Sequence, residues 1–389
     1  MPLTIGMFSD TYTPEINGVV TSVASTARAL RRRGHRVIIV APAHDRTPDD
    51  DPDVFRFRST PFPFYPQLRM AFPLPAKLLA SLPRMPFDVI HAHSFFFVGC
   101  LGAYLAQLRR IALFFTYHTR WTEYTHYLPL NKRITHAQAV WLSREFCNRC
   151  DGIVAPTHSI AEILRSYGVA RRIDVIPTGV DLDLFGTPGP LEEDTPRAPA
   201  LLYAGRLGKE KNLDFLLDAF ALLAQRVPAA TLTIVGSGPH EHELRAHVRA
   251  LPGNPRVEFT GALQPDALGR RYRSANAFAF TSKTETQGLV VIEAMAHGLP
   301  VVALESPIMR EILPPAAGVI VAEDVQTFAD AAAALLAQSA AQRRERGAAA
   351  RVAAAPYAID AVAARLERLY QTGRASPNDA GIAGGVGEA

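Results

Sequence analysis

The chain has 389 residues, 48% of them hydrophobic and 20% charged, with a formal net charge of +4; that length exceeds one ordinary core and suits two domains of about 150 to 200 residues. No run of about eighteen apolar residues offers a membrane span, and the start MPLTIGMFSD lacks the basic region of a signal peptide and reads directly as a strand. Residues 1–180 carry 21 Lys+Arg against 13 Asp+Glu and the remainder 20 against 24, so the basic N-terminal half is expected to meet an anionic partner, a lipid surface or nucleic acid.

In chain order, Thr4 to Phe8 reads as a buried strand and Val20 to Arg33 as a helix ending at Gly34. The loop between them, residues 9–22, holds Asn17-Gly18, a turn whose backbone can approach a ligand; without G-x-G-x-x-G spacing, an ordinary strand–helix turn is the competing reading. Val37 to Ala41 follows as a strand. Residues 59–87 are rich in Pro and Phe and hold Arg69, Lys77 and Arg84 with no acid before Phe87, which suits either a lipid interface or a loop packed on its own domain. Val89 to Ala92, Leu113 to Tyr117, Gly152 to Ala155 and Arg172 to Ile176 continue the strands. The His91-Ala92-His93 pair reads as packed histidines in preference to a metal site. After the Leu113 strand, His118 is followed by Trp121, Tyr124 and His126, polar groups on an aromatic floor that suits a sugar or lipid headgroup. Cys100, Cys147 and Cys150 form no metal pattern and read as reduced thiols.

Residues 186–200 have linker composition, and the pattern then restarts with Ala200 to Ala204, Thr231 to Val235, Arg256 to Thr260, Ala277 to Phe280 and Val301 to Leu304. Strands alternating with helices in both halves predict an α/β protein of two Rossmann-like, doubly wound domains facing a cleft. The expected domains are 1–180 and 200–355, with a last helix over 357–373 and a disordered Gly/Ala-rich tail at 375–389. In the second domain, Arg206 and Lys211 stand at a strand's carboxyl end, where cations can hold a diphosphate and stabilise its departure; a solvated basic turn is the alternative. Gly236 opens a turn that either walls a base or merely closes the chain. Glu285 and Glu293 flank a helix start whose backbone at Gln287, Gly288 and Leu289 favours a phosphate, while carboxylates accept hydroxyl pairs.

These residues resemble the retaining glycosyltransferases of family 4, which have the glycosyltransferase-B fold, over nearly the whole chain. The most specific part is the E-x7-E motif at Glu285 and Glu293, supported by Asn17-Gly18-Val19, Gly205-Arg206, Lys211-Asn212 and Pro177-Thr178-Gly179-Val180. TETQG and the run YHT..TEYTHY look most like bacterial diacylglycerol glucosyltransferases. The resemblance implies that Glu285 binds the transferred sugar, Glu293 the ribose, Arg206 and Lys211 the diphosphate, that His118 lies at the sugar and that Gly18 lines the phosphate side. It also implies a UDP-sugar substrate with no metal, retention by front-side attack or through a covalent intermediate, and a last helix returning to the first domain. Pro14-Glu15-Ile16 replaces a Gly-Gly pair of some relatives, and Asp10 and Glu15 can instead address the acceptor. The expected activity is α-glucosyl transfer from UDP-glucose to diacylglycerol, by a cytoplasmic protein held peripherally at the inner face of the cell membrane. The rivals are galactose or mannose transfer to another acceptor, and a non-catalytic nucleotide-sugar or nucleic-acid binder; no nucleic-acid partner is expected, because such a groove does not need paired carboxylates at a strand end.

Overall fold

Short apolar strands alternating with helices build two all-parallel sheets. The computed structural model describes residues 1–15, 17–44, 51–62, 65–71, 82–123, 132–185 and 199–374. The chain divides into unit 1, residues 1–179 with the chain from Asp360 onward, and unit 2, Val180–Ile359.

Unit 1 contains strands β1 (Thr4–Phe8), β2 (Arg36–Pro42), β3 (Val54–Phe57), β6 (Val89–Ala92), β7 (Ala112–Thr116), β8 (Gly152–Ala155) and β9 (Ile173–Val175) in the order β3-β2-β1-β6-β7-β8-β9. Among the described residues its helices before the C-terminal one are α1 (Gly18–Arg32), α2 (Phe97–Arg109), α3 (Lys132–Arg149) and α4 (His158–Ser166). Two features differ from the sequence expectation. Val54–Phe57 is an edge strand of the sheet, and within the segment expected as a lipid interface or a packed loop, β4 (Ser59–Phe62) and β5 (Tyr65–Ala71) pair antiparallel. Proline in both strands masked this pairing, since proline is tolerated at an edge.

Unit 2 contains β10 (Ala200–Ala204), β11 (Thr231–Val235), β12 (Arg256–Gly261), β13 (Ala277–Phe280), β14 (Val301–Leu304) and β15 (Gly318–Val321), ordered β12-β11-β10-β13-β14-β15. The sixth strand, β15, is one more than the sequence reading gave. Helices α5 (Leu213–Arg226), α6 (Glu241–Ala250), α7 (Pro265–Ser274), α8 (Leu289–Ala296), α9 (Pro307–Ile312), α10 (Val325–Leu336) and α11 (Ala340–Ala354) cover both faces. Period-two alternation explains the two cores: Leu202, Ala204, Phe278 and Phe280 pack on one side of the sheet, and Leu201, Tyr203, Ala277 and Ala279 on the other.

The last helix, α12 (Ile359–Arg374), belongs to unit 1. Tyr370 is fully buried there, 5.5 Å from the Phe114 ring, and the Arg33 guanidinium donates to Glu367 at 2.8 Å.

Candidate functional site

In a doubly wound sheet the chain leaves neighbouring strands in opposite directions at one place, and a crevice opens there at the carboxyl ends. In unit 2 that place is between β10 and β13, which pair directly through Leu201 and Ala277. The loops after these two strands carry Arg206 and Lys211 on one side and Glu285 on the other. The structure brings Lys211 and Glu285 into a hydrogen-bonded ion pair whose side chains are 17% and 22% exposed. Burial acts to lower the Lys211 pKa, but the Glu285 carboxylate, with Tyr203 and Glu210, outweighs it and raises the ammonium above its ordinary value. Lys211 is therefore a fixed cation at neutral pH.

Two residues absent from the sequence reading hold this pair in place. The buried Thr281 hydroxyl donates to the Lys211 carbonyl at 2.9 Å, and the buried Ser282 hydroxyl to the Glu210 carbonyl at 3.4 Å. Both follow β13 directly, and a hydroxyl adjoining a buried strand was the available signal. Arg206 stands 3.7 Å from the Glu210 carboxylate. Gly236 follows β11 with φ +135°, and a Cβ there would lie 1.8 Å from the Gly205 carbonyl, so the β10 and β11 loops meet at a separation only glycine permits.

The loop after β13 ends at Gly288, in the left-handed region with φ +76°, and α8 begins at Leu289 with no side chain capping it. Gln287, just before, is buried. Unsatisfied first-turn N–H groups together with the helix dipole make such a terminus an anion site. Glu293, one turn into α8, is 8% exposed, and the Tyr272 hydroxyl donates to it at 2.8 Å. Burial raises its carboxyl to about 7, against the lowering effect of the Tyr272 bond.

Unit 1 presents different chemistry. Asn17 caps α1 by accepting from the Val20 N–H at 2.9 Å, which sets exposed Gly18 at the first helical position. Thr11 donates to Glu15 and accepts from Asn17 at 3.0 Å, bracing the loop. Burial raises the Glu15 pKa, while Thr11, Arg69 and Arg56 act to lower it. Asp10 is a correction to the acceptor expectation: it is 1% exposed, accepts from the Val98 N–H at 2.8 Å and from Ser94, and so caps α2 at the switch point between β1 and β6.

His91 places its ring nitrogens 2.6 Å from the Tyr370 hydroxyl and 2.7 Å from Thr116, and is a packed residue that ties α12 to the sheet. His93 lies 2.9 Å from His118 through Nδ1 and Nε2, with the rings stacked. Burial lowers the pKa of His118 to about 4 and that of His91 to about 3, so both are neutral at ordinary pH. Among the described residues no group of three or more His, Cys, Asp or Glu could hold a metal ion. Trp121 packs edge-on against Phe96 at 4.7 Å and Phe95 at 5.7 Å, as part of the aromatic core margin.

The membrane-contact expectation for Arg69 is also corrected. It is 6% exposed and donates to the Ser59 hydroxyl at 2.7 Å and the Ser59 carbonyl at 3.1 Å, closing the β4–β5 hairpin. Arg84 is exposed at the end of a short 3-10 turn, whereas Lys77, Tyr124 and His126, the tail and most of the linker lie outside the described residues. Other positions carry exposed apolar groups: Ile134, Trp141 and Leu142 on α3, a helix that also exposes Arg133 and Arg144, and separately Phe97, Tyr104 and Leu108 on α2. Their helical spacing reads as a core stripe, which is why sequence alone did not single them out. Among the described residues no helix is long and apolar enough to cross a membrane.

The two-unit organisation and strand orders are those of the glycosyltransferase-B fold. The chain superposes on the Anabaena protein HepE, solved with UDP and glucose, with a TM-score of 0.73 at 17% identity over 96% of this chain and 100% of that one. A family model described as Glycosyltransferase Family 4 matches residues 16–184, and one described as Glycosyl transferases group 1 matches residues 198–338. The chain is 31% identical to the alpha-monoglucosyldiacylglycerol synthase of Streptococcus pneumoniae over 79% of its own length and 73% of that protein's. It is 28% identical to the enzyme of the same name from Acholeplasma laidlawii over 77% and 79%. This chain belongs to glycosyltransferase family 4, and its activity is glycosyl transfer.

Proposed function

We propose that the chain moves a glucosyl group from UDP-glucose to diacylglycerol at an anionic membrane surface, with retention of the α configuration. The observation that carries this reading is the Lys211–Glu285 pair at the switch point of unit 2, where cation and carboxylate stand ready for a diphosphate and a sugar. The donor's phosphates take Lys211 and Arg206 and the α8 N-terminus at Gly288 and Leu289, which releases Glu285 for sugar hydroxyls, while Glu293 accepts from the ribose. The bond from sugar C1 to the phosphate oxygen then breaks, the acceptor hydroxyl oxygen bonds to C1 on the same face, and its proton passes to the departing phosphate. Two fixed cations neutralise that leaving group, so the reaction proceeds with no metal, and chelator leaves the rate unchanged.

The lipid acceptor is supported by the names of the relatives and by the exposed Trp141 and Ile134 face of α3, whose flanking Arg133 and Arg144 suit anionic headgroups. The test is a matrix of UDP-glucose, UDP-galactose and GDP-mannose against diacylglycerol, phosphatidylinositol and a soluble alcohol. Product confined to UDP-glucose with diacylglycerol is expected; a preference for another donor or acceptor replaces this reading.

A further inference from the structure

We infer that Tyr272 is a positioning residue for donor recognition: its hydroxyl holds one oxygen of Glu293 so that the other faces the donor's ribose. The inference rests on the donor-site reading of Glu293 given above, and it adds a residue from a different helix, α7, which carries no part of the E-x7-E motif.

The geometry is specific. Tyr272 is fully buried and donates at 2.8 Å to Oε2 of Glu293. Its ring stacks on His297 at 5.0 Å with an interplanar angle of 24°, and the His297 Nδ1–H donates to the Glu293 carbonyl at 2.7 Å. Phe185 closes the group from the far side, 5.3 Å from His297 and 6.2 Å from Tyr272. Tyrosine and histidine thus grip the same glutamate at its carboxylate and its backbone. Among the described residues, the second carboxylate oxygen, Oε1, accepts no hydrogen bond.

A buried carboxylate with one oxygen fixed can turn only the other toward a ligand, and a rigid acceptor binds a hydroxyl pair without the loss of rotamer freedom a loose one incurs. Burial keeps the Tyr272 phenol protonated, well above its ordinary pKa, so it remains a donor. Its bond also favours the ionised form of Glu293, the form in which the remaining oxygen acts purely as an acceptor.

The experiment measures nucleotide binding by calorimetry with wild type, Tyr272→Phe, Glu293→Gln and the double variant, using UDP and 2′,3′-dideoxy-UDP, with thermal unfolding as the folding check. Wild type is expected to prefer UDP. Tyr272→Phe is expected to weaken UDP about tenfold while dideoxy-UDP affinity changes less than about twofold, and to have no further effect once Glu293 is Gln. Equal weakening of both nucleotides, or additive effects in the double variant, means that Tyr272 only supports the fold and overturns the inference. A wild type that binds UDP without preferring it over dideoxy-UDP overturns the ribose role of Glu293 instead, and the inference with it.

Discussion

The Lys211 ammonium is hydrogen-bonded to the carboxylate of Glu285, 74 residues further along the chain. Each side chain neutralises the other, so in the proposed donor site the binding of a diphosphate is an exchange of partners for Lys211. Removing the Glu285 charge frees the lysine. Glu285→Gln is therefore expected to bind UDP as tightly as wild type or more tightly, while turnover falls on the order of a hundredfold or more. Calorimetry with UDP and a transfer assay check this; weaker UDP binding in the variant contradicts the exchange.

Glu293 carries its own pH signature. Its carboxyl titrates near 7 in the fold against 4.5 in the unfolded chain, so the folded state holds the proton more tightly between those values. The resulting stability is full below pH 4.5 and is lost as pH rises through 7, on the order of 3 kcal/mol. If Glu293 binds the ribose as proposed, nucleotide binding runs the opposite way, because ionisation supplies the acceptor. Glu293→Gln should raise the Tm of unit 2 at pH 8 relative to wild type while weakening UDP, and a variant with unchanged Tm at that pH argues against a buried, strained carboxyl.

His91 has the reverse dependence. Its folded pKa of about 3 lies far below the unfolded 6.5, so the unfolded chain binds the extra proton and stability drops as pH falls below 6.5, by about 1.4 kcal/mol per pH unit. His91→Gln keeps a polar side chain between Tyr370 and Thr116 but cannot titrate. It should be less stable than wild type at pH 7.5, with the gap closing as pH falls toward 5. The raised pKa values of Asp10 and Glu15 act oppositely but are common to both chains. Thermal unfolding across that range reads the gap, and a constant gap contradicts the assignment.

Membrane attachment is expected through α3, with no direct part for Arg69. Ile134→Ser with Trp141→Ser should weaken binding to phosphatidylglycerol vesicles about tenfold or more, with activity on detergent-dispersed acceptor retained. Arg69→Ala should lower Tm, because it breaks the hairpin closure at Ser59. Unchanged vesicle binding by the double variant removes this face from the membrane reading.

Much of this was legible in the sequence where a local rule decides the outcome. The apolar run at Ala277 to Phe280 and a glycine before a helical pattern each predict their own geometry, and both are observed, whereas the capping of α1 by Asn17 emerges only from the structure. What escaped depends on contacts distant in sequence. The Asp10 carboxylate looked free in a polar loop until α2 met it 88 residues later, and Arg69 looked like a surface cation until the hairpin register set it beside Ser59. Tyr272, Thr281 and Ser282 lie outside any motif; their roles follow from which strands and helices the parallel topology makes neighbours. The exposed face of α3 has the periodicity of a buried one, so spacing alone cannot distinguish a core from a docking surface.

Metal-free α-glucosyl transfer dependent on Glu285 is measured by incubating wild type and Glu285→Ala with UDP-glucose and diacylglycerol in phosphatidylglycerol vesicles, in the presence of chelator, and determining the product anomer by NMR. Wild type is expected to yield α-glucosyldiacylglycerol and the variant to lose on the order of a hundredfold or more of the transfer rate. A β-linked product, a strict metal requirement, or near-wild-type transfer by Glu285→Ala would contradict this expectation.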